Sequence, residues 1–296
     1  MQKIALHYLV CPLCKSSFSL AGESLICRHK HKFPIINDIP RFVAQSGSQS
    51  FGLEWTKFSS MQDQYRQNFL NYVTPVKPGF FKNKLILDLG CGMGRHTFWA
   101  AKFGAKHVFG IDNSDAVNAA YVNCRDLPNA TIIQADIYHL PFKQVFDWSF
   151  SIGVLHHLPD PQAGFNALVR TVKPGGLVSV WVYGKRDNFS NVYIYETVRR
   201  LTTRLPLKLI LAISYPLGLI VHLINKLSLP GFAYYRQFPL IVKINDVFDV
   251  LTAPRSRYYL KEQIVDWFKS AGLKKMKVDY LRKKSLIGHG QVASAS

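Results

Sequence analysis

From Lys84 onward, short apolar runs alternate with stretches whose apolar residues recur every three or four positions. KLILDL, HVFGID, TIIQAD, FDWSFSI and LVSVWVY are the runs, and TFWAAKF, AVNAAYV and NALVRTV lie between them. Continuous apolar strands separated by helices of roughly ten residues predict a parallel sheet covered on both faces, a doubly wound α/β fold. Ligands of such folds sit outside the carboxyl ends of the strands, near the point where strand order reverses.

The pattern divides the chain. Residues 1–44 hold three of the five cysteines and form a small head; 45–83 begin with the polar run AQSGSQS, a linker, and continue as a helical region. Residues 84–183 are the core, 184–257 an insertion, and 258–296 a final helix with the last strands. In the helical region Phe51, Trp55 and Phe58 recur at helical spacing and are read mainly as packing onto the core, the alternative being closure over a ligand. Within the insertion, Leu209 to Asn225 carries no acidic or basic side chain apart from His222, between Lys208 and Lys226. Pro216 and Gly218 interrupt this stretch, and its length of about 26 Å falls short of a bilayer core of about 30 Å, so a simple transmembrane span is rejected. A broken apolar pair forming a lid, or a monotopic segment with Arg199, Arg200, Arg204 and Lys208 facing anionic head groups, are the readings kept.

The 296 residues are 48% hydrophobic, enough for a full core, and carry 37 Lys and Arg against 18 Asp and Glu, a formal charge of +19. That field favours polyanions or an anionic membrane without specifying either. Five cysteines in no regular framework argue against a secreted disulfide scaffold, and the amino terminus lacks the features of an export signal, so a cytoplasmic protein with reduced thiols is expected.

Two motifs carry chemistry. Cys11 and Cys14 in CPLC, then Cys27 with His29 and His31, have the spacing of one tetrahedral zinc; four protein ligands leave no open position, so the site is structural. At the core, the first strand ends in DLGCGMGR, where Gly90, Gly92 and Gly94 let the backbone turn sharply and approach a ligand. A dinucleotide loop wants its third glycine where Arg95 stands, so the spacing argues against NAD. Asp88 suits a ligand with a cationic end. Asp112, at the second strand's end, can accept from vicinal ribose hydroxyls, and Asp136 at the third from an exocyclic amine. Together they describe a nucleoside with a polar, positively charged tail.

Residues 84–183, with DLGCGMGR, GIDNS, QADIYHLPF, FDWSFSIGVLHHL and VKPGG in order, resemble the class I S-adenosylmethionine-dependent methyltransferases. The resemblance implies a Rossmann-like, mostly parallel seven-stranded sheet and S-adenosylmethionine as cofactor. It places Gly90, Gly92 and Gly94 around the methionine part, which Asp88 supports; it puts Asp112 at the ribose, Asp136 and Ile137 at the adenine, and Ser151-Ile152-Gly153 near the methyl group. LKEQIVDWFKSAGL and KKMKVDYL fit the family's last helix and sixth strand, with a seventh in 285–293. The head resembles the zinc-binding region of ribosomal RNA guanine methyltransferases, a likeness that selects His31 over His29. The following FPIINDIPRFV resembles activators of tRNA and protein methyltransferases, with Asn37-Asp38 at the usual turn.

GVLHHL after the fourth strand resembles the small-molecule members rather than those acting on bases. With the apolar insertion, whether lid or membrane-contacting segment, this gives a hydrophobic small-molecule or lipid-like acceptor as the expectation, and a ribosomal or transfer RNA base is the alternative. His156 and Tyr183 are the candidate catalytic residues, with His157 beside them.

Overall fold

A computed structural model of the chain describes residues 6–188, 190–227, 233–254 and 256–294. The head is a four-stranded antiparallel sheet of β1 (Phe18–Leu20), β2 (Ser24–Cys27), β3 (Lys32–Ile36) and β4 (Ile39–Pro40). Asn37 and Asp38 both adopt positive φ, 53° and 62°, in the two-residue turn joining β3 to β4. Asn and Asp tolerate this conformation better than other non-glycine residues.

Helices α1 (Gln49–Lys57) and α2 (Gln64–Tyr72) lead into the core sheet. Its strands are β5 (Leu85–Leu89), β6 (His107–Asp112), β7 (Ala130–Gln134), β8 (Phe146–Ile152), β9 (Val172–Tyr183), β10 (Lys274–Leu281) and β11 (Ser285–Gln291), in the order β10-β11-β9-β8-β5-β6-β7. All neighbours are parallel except those of β11, which runs antiparallel between β9 and β10. The order reverses between β5 and β8, the switch point. This is the Rossmann-like, doubly wound sheet that the sequence pattern predicts.

Helices α3 (Arg95–Lys102), α4 (Ala116–Cys124) and α5 (Pro161–Val169) connect the parallel strands. Both faces of the sheet are buried, and side chains sort by strand parity. Leu85, Leu87 and Leu89 enter one apolar cluster with Phe109, Phe146 and Phe268; Ile86 enters the other with Val108, Trp148 and Phe150.

The head docks on its own chain, against edge strand β7. Arg41 bridges to Gln134 beside it, and the Phe42 amide donates to the Gln134 carbonyl at 2.8 Å. The buried Arg41 guanidinium donates to Gln134 Oε1 and Asn118 Oδ1, both at 2.7 Å. This cover removes an exposed row of backbone donors and acceptors.

The insertion contains a π-helical turn Ser190–Tyr195, then α6 (Glu196–Thr202), α7 (Leu207–Lys226), α8 (Ala233–Arg236) and α9 (Leu240–Thr252); α10 (Lys261–Ser270) then returns the chain to the sheet. Residues 189, 228–232 and 255 of the insertion lie outside the described residues. The expectation of a break at Pro216 and Gly218 fails: α7 runs through both as one helix of 20 residues, about 30 Å long. One proline forfeits one backbone hydrogen bond, which the rest of so long a helix tolerates. Arg199 also departs from expectation. It is buried inside the lid, donating from Nε to the Val250 carbonyl at 3.0 Å and pairing with Glu196, whereas Arg200, Arg204 and Lys208 are exposed.

Candidate active site at the strand tips

The strand tips open into a cavity of about 680 Å³. On the sheet side it is lined by Gly90, Gly92, Asp112, Asp136, Ile137 and Gly153. On the other side α1 and α9 close it, so that core and insertion share one chamber. Its size lies within the roughly 300–1,000 Å³ usual for small-molecule sites.

The loop after β5 depends on its glycines. Gly90 has φ +83°, and a Cβ there would lie 2.2 Å from Val154 Cγ2; Gly92 has φ +53° and lies under the Trp55 indole, whose Nε1 would be 3.3 Å from an added Cβ. Gly94, also at φ +83°, faces away from the cavity, packed on Ala120 and Cys124. Asp112 is fixed by the chain itself. Its Oδ2 accepts from the Gly92 amide at 3.0 Å, and its Oδ1 accepts from the Ser114 amide and hydroxyl at 2.8 and 2.7 Å. A carboxylate has about four acceptor positions, so Oδ2 retains one for a ligand hydroxyl. Asp136 caps the 3₁₀ turn that follows it, accepting from the Tyr138 amide at 3.0 Å, and shows its remaining surface to the cavity.

Asp88 and Ser151 stand behind this wall. Asp88 shares strand parity with Ile86, so its carboxyl points between the sheet and α3 and accepts from Thr97 Oγ1 at 2.7 Å. Burial pushes it up to about 7. The buried Ser151 hydroxyl donates to the Leu89 carbonyl at 2.9 Å and ties β8 to β5 across the switch point. Ile152 and Gly153, its neighbours, do line the cavity.

The catalytic candidates separate in the same way. His156 is fully buried, stacked on Tyr183 with ring centroids 3.8 Å apart, and neither ring nitrogen has a partner among the described residues. Burial, reinforced by His157 and Arg199, drives its pKa well below the usual histidine range. The ring is neutral and walled off. Tyr183 and His157 reach the cavity; burial, with Asp249 adding to it, holds the Tyr183 phenol well above its ordinary range.

The aromatic triplet of α1 splits. Phe51 and Trp55 line the cavity, while Phe58 packs into the lid core with Phe248 and Ile210. Arg95, where a dinucleotide loop has glycine, lies over the rings of Trp55 and Tyr65 at 5.0 and 5.3 Å. Sequence reasoning missed Glu54, Asn245, Asp246 and Asp249, which line the lid side.

In the head, Cys11, Cys14, Cys27 and His31 bring their ligand atoms within 4.8 Å of one another. Cys14 Sγ to Cys27 Sγ is 3.6 Å, Cys27 Sγ to His31 Nδ1 3.3 Å and Cys11 Sγ to His31 Nδ1 3.5 Å. A zinc tetrahedron has edges of about 3.8 Å between sulfurs and about 3.5 Å between sulfur and nitrogen, given its ordinary bond lengths. His29 is exposed and outside the group.

Residues 87–180 match the family model described as methyltransferase domain. A tRNA U34 carboxymethyltransferase of Ruthia magnifica subsp. Calyptogena magnifica is 35% identical over 105 residues, 34% of this chain and 32% of that protein. The sterol 24-C-methyltransferase erg6 of Schizosaccharomyces pombe is 26% identical over 130 residues, 42% of this chain and 33% of its own. The chain thus spans about a third of the length of these curated relatives. Among solved structures, a chain from the complex between the Haloferax volcanii Trm112 methyltransferase activator and a methyltransferase superposes with a TM-score of 0.54 at 15% identity, covering 84% of this chain and 100% of that one. The superposition shows a shared fold, and the sheet order and glycine loop agree with the match of residues 87–180: a methyltransferase domain forms the core, set between a Cys/His head and a helical insertion.

Proposed function

We propose that the protein transfers a methyl group from S-adenosylmethionine to a small lipophilic acceptor at a membrane surface, with a structural zinc ion in its head. The residues present suit both groups. Asp112 has an acceptor position left for a ribose hydroxyl, Asp136 and Ile137 flank the adenine position, and the bare backbone of Gly90 and Gly92 lets the methionine part lie close. The cofactor would supply an electrophilic methyl on sulfur. The chain's contribution is alignment and exclusion of water, worth on the order of 7–11 kcal/mol when the reacting atoms are held in line. The head's tetrahedral edges fit zinc, which would fold a segment too small to bury much surface of its own.

The observation that carries the acceptor reading is the polarity of α7. Its protein-facing stripe is Ile210, Ser214, Gly218 and Asn225, whereas Leu217, Leu219, Ile220, Leu223 and Ile224 are 39–52% exposed. Apart from Ile210 the inward residues are small or polar and the large apolar ones face outward, the reverse of a water-exposed lid helix and the arrangement used in lipid. Exposed Arg200, Arg204 and Lys208 precede this face and Lys226 ends it, suiting anionic head groups. Because one side of α7 packs along α9, the helix lies on the protein and dips into the membrane from one leaflet.

Two measurements test this. Calorimetry with S-adenosylhomocysteine should give heat that Asp112→Ala reduces by about ten- to a hundredfold, since each charge-assisted hydrogen bond contributes about 1.5–3 kcal/mol. The protein should also sediment with phosphatidylglycerol-containing vesicles, and Leu217→Asp with Ile220→Asp should abolish this while leaving the heat unchanged. Failure to sediment, together with tight and salt-sensitive retention of transfer RNA on filters, would replace the lipophilic acceptor by the RNA base.

A further inference from the structure

The two halves of the cavity differ in chemistry. The strand-tip half offers a bare backbone and carboxylates already engaged by the chain. The lid half offers more acceptors than donors: Asn245 already donates to Glu54, and the Arg95 charge acts on Glu54 and Asp246 from its place over the rings. Glu54 on α1 is 1% exposed, and its Oε2 has no partner among the described residues. Asn245 on α9 is 5% exposed and leaves its Oδ1 equally unpartnered. Asp246 and Asp249, on the same helix, complete the group. Arg95 is the one lysine or arginine among the lining residues. It lies over Trp55 and Tyr65, and among the described residues it forms no ion pair within 4 Å with these carboxyls.

Buried acceptors left without donors are costly, so an arrangement of this kind is completed by whatever enters it. Burial, with Asp249 adding to it, raises Glu54 well above the usual carboxyl range and holds Asp246 at about 7. Both groups would recover their charge beside a cation. An anion is repelled, and a hydroxyl brings one donor where an ammonium brings three. A sulfonium has no N–H or O–H and cannot satisfy Asn245 Oδ1; the cofactor's own α-ammonium has three donors, so competition between the amine and S-adenosylhomocysteine decides which ammonium the group holds. The remaining wall is apolar and aromatic, with Val242, Phe238 and Tyr235.

We infer that the lid half of the cavity binds the protonated amine of an amphiphilic acceptor, the ammonium donating to Glu54, Asn245 and Asp246 while the apolar body lies along Phe238 and Val242. The inference rests on the methyltransferase reading and narrows its acceptor class to lipophilic amines. It also accounts for a carboxyl-lined chamber in a chain of net charge +19: the surface attracts an anionic membrane and the interior selects a cationic guest.

The test uses the full chain and three probes with one tail, decylamine, decanol and decanoate, titrated below their micellar concentrations with and without S-adenosylhomocysteine. Decylamine should bind at least tenfold more tightly than decanol, and decanoate should give no heat. Asp246→Asn, alone and combined with Asp249→Asn, should lower decylamine affinity about tenfold or more and leave decanol affinity unchanged, with the heat of S-adenosylhomocysteine certifying the fold. Equal or tighter binding of decanol, binding of decanoate, or an unchanged decylamine affinity in the double variant would overturn the inference. So would a loss confined to S-adenosylmethionine relative to S-adenosylhomocysteine, which would assign the carboxyls to the sulfonium, or decylamine binding abolished by saturating S-adenosylhomocysteine, which would assign them to the cofactor's own ammonium. Absence of heat with S-adenosylhomocysteine in the wild type strikes the methyltransferase reading instead, while the amine-to-alcohol ratio still decides this one.

Discussion

The head and the lid are attached to the same sheet, one along its edge at β7 and the other over its strand tips, and they differ in what each leaves uncovered. The head buries its apolar residues against the core, Leu9 and Leu25 in the cluster of Phe109 and Phe142, and Ile39 in that of Val117 and Ile132. Polar bonds from the buried Arg41 add to this, and four ligand atoms lie within 4.8 Å of one another between its two knuckles. The lid has apolar matter in excess: α7 buries Ile210 with the smaller Ser214, Gly218 and Asn225 and leaves Leu217, Leu219, Ile220, Leu223 and Ile224 outside. With the proposed zinc in its cluster the head would be closed on the protein, whereas the outward face of α7 would be covered only by the proposed membrane.

The sharpest way to break the comparison is to remove the ion. Chelation at neutral pH, or Cys14→Ser, should unfold the head, because structural zinc contributes on the order of 10 kcal/mol to domains this small. Amide exchange should accelerate across β1–β4 while α7 and α9 keep their protection, and a chromogenic chelator should count one zinc per chain. Zinc content of zero in protein whose head is already protected would sink the metal reading.

Acidity should then move the two regions in opposite directions. Protons compete with zinc for its ligands, so the head loosens as pH falls. For the lid the sign is reversed. The folded-state pKa of Asp246, at about 7, lies above its unfolded value, so the folded chain binds the extra proton between roughly pH 4 and 7 and stability falls as pH rises through that window. The effect is about 2–4 kcal/mol, less than the full shift implies because the residue is only partly shielded by its surroundings. Melting curves of wild type minus Asp246→Asn from pH 4.5 to 7.5 should show the difference shrink toward low pH, and a flat difference would remove the buried carboxyl from the lid's energetics.

The two regions also differ in how far the sequence discloses them. The ligand spacing of the head and the strand pattern of the core are local signals, and the fold brings Cys11, Cys14, Cys27 and His31 together and puts the glycine loop and Asp112 at the strand tips. Asp88 shows the limit. A carboxylate at a strand end reads as facing a ligand, yet parity with Ile86 turns it to the helix side, and only the register against Thr97 reveals this. The lid acceptors were not legible at all. Glu54 and Asp246 are 192 positions apart, 246 minus 54, on helices whose facing sides are set by tertiary packing. Pro216 was legible but over-weighted, since a helix long enough to pack along α9 absorbs one missing amide.

The smallest effect bears on the contact that makes the lid what it is. A Cβ on Gly218 would lie 2.5 Å from Ile244 Cγ1, 2.8 Å from Ile244 Cα and 3.0 Å from its amide nitrogen. The side chain could rotate away, but the backbone could not. Helix propensity alone would make Gly218→Ala stabilising by about 1 kcal/mol. Backbone crowding should outweigh that gain and make it neutral to destabilising, with Gly218→Val costing about 1–3 kcal/mol as an overpacked contact. Exchange should quicken in α7 and α9 and not in α4. Leu219→Ala, one residue away on the open side, should stay within about 0.5 kcal/mol in solution and yet weaken vesicle binding. If Leu219→Ala instead lowered the melting temperature as much as Gly218→Val, the outward face of α7 would have a protein partner in solution, and the proposed contrast between a zinc-bound head and a lid completed by a membrane would no longer stand.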